Sequence, residues 1–147
     1  MKLKTIVPLP PEDYIYNIGL IAYSVGYLEW QLLGDLRGKK DIPNEYKIEN
    51  LCEKTTGGIA TLFTKEELLS QVLDDNLRLR IKQFGEKLKN ITKKRNHLLH
   101  ARPATINNKQ KLYRWTTDNQ IEIDARYLEE INNDIQEALR QDGKLRV

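Results

Sequence analysis

Arg95-Asn96-His97-Leu98-Leu99-His100 sets a permanent cation and an imidazole five residues apart in a segment otherwise rich in aliphatic side chains. Those two residue types can work on a phosphodiester. A guanidinium offers a planar fork that matches two phosphate oxygens. An imidazole, with an ordinary pKa of about 6.5, moves protons near neutral pH and contributes roughly 10²–10⁴-fold to such a step. RNA carries its own nucleophile, the 2′-hydroxyl, so its cleavage needs little beyond a proton carrier and a cation at the crowded phosphorus. Asn96, one turn before His100, can hydrogen-bond the ring or a phosphate oxygen. Arg95, His100 and Asn96 are therefore the candidate catalytic residues, and His97 is a neighbour better suited to exposure or to phosphate than to catalysis.

Arg95 is conspicuous because of what precedes it. Leu77, Ile81, Phe84, Leu88 and Ile91 recur every three or four residues, which marks one buried helix face. The next step along that face is Arg95, and the one after it Leu98. An Arg in a buried seam without an anionic partner costs several kcal/mol, so a carboxylate or a bound anion is expected beside it. Glu29, on the border of an aliphatic stripe near the start of the chain, is the candidate supporting residue. On a wheel of about 100° per residue, Arg78, Lys82, Lys89 and Lys93 fall in one sector with Asn96 and His100. They are the candidate RNA-binding residues. Between Leu77 and Arg102, the acid that opposes the basic side chains is Glu86, a field that attracts a polyanion.

The Arg95-to-His100 spacing resembles the R-x4-6-H motif of the HEPN superfamily, the higher eukaryotes and prokaryotes nucleotide-binding domains. The likeness rests on Arg95 followed directly by Asn96, an apolar Leu98-Leu99 before His100, and a basic amphipathic helix around them. It implies an all-α fold, a bundle of four to five helices, in a homodimer that cuts RNA without a metal. It also implies the biological setting: a toxin or antiviral defence effector, held in check by an inhibitory antitoxin or other regulatory partner. One branch of the family carries Tyr two residues after the His. This chain has Arg102 there.

Geometry adds a requirement of its own. Five residues on a helix turn through about 140° and rise about 7.5 Å, so Arg95 and His100 of one chain diverge. Two copies meeting near a two-fold axis can bring two Arg and two His into one cleft. Two other classes of function fit the same residues: a module that binds nucleotide or RNA without cutting it, and a subunit that docks a partner through its first helix.

The 147 residues suit one domain spanning residues 1–147, with 24 Lys and Arg against 21 Asp and Glu. The small net charge hides an uneven distribution, since the segment from Asp118 to Asp142 is acidic. Cys52 is alone, so no intramolecular disulfide forms and a cytoplasmic location is expected. With two histidines and no nearby carboxylate, neither a metal nor a cofactor is expected. The leading apolar run is too short for a signal peptide, and the stretch from Ile18 to Leu28 is shorter than the ~20 residues of a membrane span.

The elements that must position these groups follow from periodicity and punctuation. A first helix is expected from Pro11 to Arg37, closed by Gly38. Tyr14, Ile18, Ile21, Val25, Leu28, Leu32 and Leu36 form one stripe along it; Tyr16, Tyr23, Tyr27 and Trp30 form another on nearly the opposite side. A helix apolar on two faces is sandwiched, inside the bundle or between it and a second copy. A short helix is expected over Glu45–Lys54, a turn at Thr55-Thr56-Gly57-Gly58, and a helix from Thr64 to Leu73 opened by a Thr64/Glu67 capping box. The motif helix should run from Asp75 to Ala101. A small β-hairpin pairs Lys111–Thr116 with Gln120–Ile123, and a last helix runs from Asp124 to Gln141 with Gly143 ending it.

Overall fold

Tyr14 shows how the molecule is tied together: its hydroxyl donates to the carbonyl of Ile123 and accepts from the backbone N–H of Leu112 at 3.1 Å. One side chain near the start of the chain thus joins the first helix to two strands roughly a hundred residues later. The computed structural model describes residues 1–142. Helix α1 spans Glu12–Leu36, α2 Ile48–Leu51, α3 Thr56–Phe63, α4 Glu66–Leu69, α5 Asp75–Leu99 and α6 Ala125–Asp142, with a 3-10 turn at Asn44–Tyr46. Strands β1 (Arg102–Ile106), β2 (Lys109–Trp115) and β3 (Gln120–Ile123) lie between α5 and α6.

The expectation of an all-α bundle with a minor hairpin is overturned. The three strands form an antiparallel sheet in the order β1-β2-β3, so the fold is mixed, helices plus a meander. The strand that sequence reasoning missed, β1, pairs Arg102 with Tyr113 and Ile106 with Lys109. Its turn is Asn107-Asn108, both at positive φ (53° and 60°), the left-handed backbone that a two-residue hairpin needs and Asn tolerates. Pro103 sits in this edge strand, where the missing N–H costs no ladder bond. Reading Pro103 only as a helix stop hid the strand.

The middle of the chain is also corrected. Thr55-Thr56-Gly57-Gly58 is no turn between helices: Thr55 caps α3, accepting from the Gly58 N–H at 3.1 Å, and the glycines lie in its first turn. The Thr64/Glu67 capping box does not form. Thr64 ends α3, its hydroxyl donating to the Ala60 carbonyl at 3.0 Å, and α4 starts after Lys65 without a side-chain cap. Glu45–Lys54 divides into the 3-10 turn and α2, and α5 stops at Leu99 rather than Ala101. Asp74 and Asp124 do cap α5 and α6, accepting from Leu77 N–H at 3.1 Å and Tyr127 N–H at 2.8 Å. Gly143, expected to end the last helix, lies outside the described residues.

The core gathers Ile21, Val25, Leu28 and Leu32 of α1, Ile81, Phe84, Leu88 and Ile91 of α5, and Leu128, Ile131 and Ile135 of α6. Phe63 of α3 fills its far end, edge-on to Tyr46 and Phe84 with ring centroids at 5.2 and 6.5 Å. Gly85 lets α3 come close: a Cβ there would lie 2.7 Å from Cβ of Phe63. That close approach brings the start of α3 to the far end of α5, where Arg95 lies. Among the described residues, no helix is long and apolar enough to cross a membrane.

Candidate functional site

Arg95 leaves the apolar seam of α5 one turn after Ile91 and points into the angle between α1 and α3. Its Nη1 donates to Oγ1 of Thr56 at 2.6 Å and lies 4.0 Å from Oε1 of Glu29. Its Nη2 donates to Oδ1 of Asn96 at 3.4 Å, and its Nε is buried with no hydrogen-bond partner among the described residues. Thr56 is only 2% exposed, a buried hydroxyl at the edge of a mostly apolar core. Sequence reasoning missed it. Its signal is there, in a Thr-Thr-Gly-Gly run that can start a helix with the first Thr as cap, but the same run has the composition of a turn.

Glu29 is where the seam argument placed it, yet the pairing is loose. At 4.0 Å from the guanidinium it is a charge neighbour rather than a hydrogen-bonded partner. Burial pushes its carboxyl above the ordinary value of 4.5, and the pull of Arg95 in the other direction does not cancel that. Arg95 therefore has no hydrogen-bonded carboxylate, and its one unpartnered donor among the described residues, Nε, is buried. Such a guanidinium can take up a phosphate oxygen without first breaking a tight salt bridge.

His100 occupies the C-cap of α5 and is exposed, its backbone N–H donating to the Asn96 carbonyl at 3.0 Å. Its ring makes no hydrogen bond among the described residues. Within one protomer the motif does not converge: Arg95 is mostly buried against α1 and α3, whereas the His100 ring is open to solvent. Asn96 bridges them, with its side chain on Arg95 and its carbonyl on the His100 backbone. His97 turns to the sheet. Burial lowers its pKa below 6.5, and the neighbouring Arg114 of β2 and Lys93 lower it further, so it is a neutral ring at neutral pH.

The basic sector of α5 is divided. Arg78 pairs with Asp75 and donates to the Val72 carbonyl at 3.1 Å, and Lys82 pairs with Glu66 at 2.9 Å. On the flank toward α6, Lys94 meets Asp134 at 2.7 Å. Lys89 and Lys93 are exposed and carry no ion pair among the described residues. Of the four RNA-binding candidates, the two nearest the motif are thus the ones with charge to offer. Among the described residues, no three His, Cys, Asp or Glu side chains gather as a metal ion would require. No family model matches the chain, and no curated protein and no solved structure proves similar to it.

Proposed function

We propose that this chain is a HEPN-like, metal-independent endoribonuclease whose working site is composite, built where two copies meet. Arg95 holds the scissile phosphate and stabilises its extra negative charge, Asn96 orients it, and His100 carries protons to or from the 2′-hydroxyl and the leaving 5′-oxygen. The 2′-oxygen forms a bond to phosphorus as the 5′-oxygen leaves with a proton. The products are a 2′,3′-cyclic phosphate and a 5′-hydroxyl. Lys89 and Lys93 hold the flanking backbone.

The observation that supports this most is Arg95 itself, a cation held in a helix seam by a hydrogen bond to Thr56, with Glu29 at 4.0 Å, beyond hydrogen-bond reach. A purely structural cation would be expected to close on its carboxylate. The divergence of Arg95 and His100 in one protomer is the reason for a two-fold site rather than a monomeric one. The competing reading is a module that binds RNA or nucleotide without cutting; it draws on the His100 ring, which no second side chain among the described residues orients.

Purified protein incubated with RNA in excess chelator decides between them. The parent should yield cyclic-phosphate ends, and Arg95→Ala and His100→Ala should each reduce the rate at least about 100-fold. Binding without cleavage by the parent favours the non-catalytic module. Cleavage that survives His100→Ala removes the proposed mechanism.

A further inference from the structure

We propose that the outer face of the sheet holds an unpaired RNA base on the ring of Trp115, next to His100 of the same protomer. This deepens the reading above, since it rests on RNA as the substrate and names what positions a nucleotide beside the imidazole. Three observations carry it: an open indole braced by a buried ring, its place at the end of α5, and a free cation on the same face.

Side chains alternate across a strand, and Leu112 and Ile123 pack against the core, so Tyr113 and Trp115 of β2 lie together on the other face. Tyr113 is 6% exposed and Trp115 47%. Their ring centroids are 5.8 Å apart, with the planes tilted by 34°. The covered ring thus braces the open one. An indole held this way, on a strand paired on both sides, loses little freedom when a flat ring lands on it. Base–aromatic stacking needs only a π-face, which every base has. Gln120 lies across the ladder from Trp115 and is exposed, and its amide can meet a base edge as donor or acceptor.

The chain's path puts this ring near the motif. His100 caps α5, and β1 begins at Arg102, directly opposite Tyr113. Because β1 and β2 are antiparallel, the step of ~7 Å from Tyr113 to Trp115 leads back toward the end of α5. Arg102 shares the face of Tyr113, is exposed and carries no ion pair among the described residues. The acid on the other side of Tyr113, Glu122, is engaged by Lys111 at 2.5 Å. A nucleotide fits these groups, since its base suits the indole and its phosphates suit a guanidinium and an imidazole. A protein covering the ring would strip water from Arg102 with no paired carboxylate to offset the cost. Duplex RNA is a poor occupant too, because its bases are paired and stacked on one another.

Trp30→Phe in the full chain leaves Trp115 as the one tryptophan, so that its emission reports on this ring directly. A short single-stranded oligoribonucleotide should quench that emission as it binds. The same strand annealed to its complement, or made without bases, should not. In fluorescence anisotropy, Trp115→Ala should weaken binding of the single strand roughly 5- to 150-fold, and Trp115→Phe should recover most of that loss. Arg102→Ala should flatten the salt dependence and keep the quench. The proposal is overturned if the single strand does not bind, if it binds without quenching, if duplex or base-free RNA quenches equally, or if Trp115→Ala binds as tightly as the parent. Should circular dichroism show that Trp115→Ala unfolds, the quench and the Trp115→Phe affinity decide. Cleavage in excess chelator is scored separately. Cleavage without quenching loses this subsite only, and quenching without cleavage loses only the catalytic reading.

Discussion

Glu29 sits between two opposed effects, and the larger one decides its behaviour. Removal from water favours the neutral carboxyl, Arg95 favours the carboxylate, and the first prevails, so the folded pKa lies above the ordinary 4.5. The sign of the linkage follows. Below the unfolded pKa the carboxyl is protonated in both states and the fold is unpenalised; as pH rises through the higher folded value, stability is lost. Glu29→Gln, which keeps the shape and removes the titration, should therefore raise the melting temperature relative to the parent more at neutral pH than near pH 4. Thermal unfolding at the two pH values measures it. A variant that gains nothing at neutral pH, or loses more there than in acid, would mean that the attraction to Arg95 outweighs burial. The outcome bears on function, since a carboxyl that gives up its charge easily leaves the guanidinium freer for phosphate.

At the scale of elements, the contact of α3 with α5 determines whether Thr56 can reach Arg95. Gly85 is the hinge point of that contact: a Cβ added there would lie 2.7 Å from Cβ of Phe63 and 2.9 Å from Cγ2 of Thr64. In an open helix, Gly→Ala gains up to about 1 kcal/mol from propensity. Here overpacking against a helix backbone costs about 1–3 kcal/mol, and the cost wins. Gly85→Ala should destabilise the fold by about 1–2 kcal/mol in urea unfolding. It should also lower RNA cleavage by shifting Thr56 away from Arg95. An Ala that stabilises would show that α3 slides aside freely and that its position on α5 is not what orders the site.

Across the whole molecule, charge is cancelled in some places and left open in others, which net charge does not show. The ion pairs Arg78 with Asp75 and Lys82 with Glu66 are exposed. Pairs of that kind contribute little to stability. They nevertheless remove positive potential from the early turns of α5 and leave it near the motif, at Lys89 and Lys93. Lys89→Ala and Lys93→Ala should each weaken single-stranded RNA binding and flatten its salt dependence, by about 0.7 in the logarithmic slope for each phosphate no longer neutralised. Arg78→Ala and Lys82→Ala should leave both close to the parent. Fluorescence anisotropy titrations between about 50 and 200 mM salt compare the four. Equal losses at all four positions would mean that RNA displaces Asp75 and Glu66 and follows the entire helix.

Periodicity alone located α1, α5 and α6, the inward residues of each, and the cation out of place at Arg95, because a buried helix face repeats every three or four residues wherever it occurs. The short-range chemistry of Asp74 and Asp124 was equally readable, since a cap acts on an N–H three residues away. What only the tertiary structure decided depends on partners distant in the chain. Strand β1 has little pattern of its own and exists because β2 lies beside it. Thr56 becomes a ligand of Arg95 because Gly85 admits α3. Lys82 has its charge cancelled by Glu66 of α4, which helical spacing on α5 does not give. The aromatic face of α1 was visible as a stripe from the outset, but that it faces solvent rather than the core was settled by packing: α5 and α6 already fill the opposite side, and one helix has only one inward face to give them.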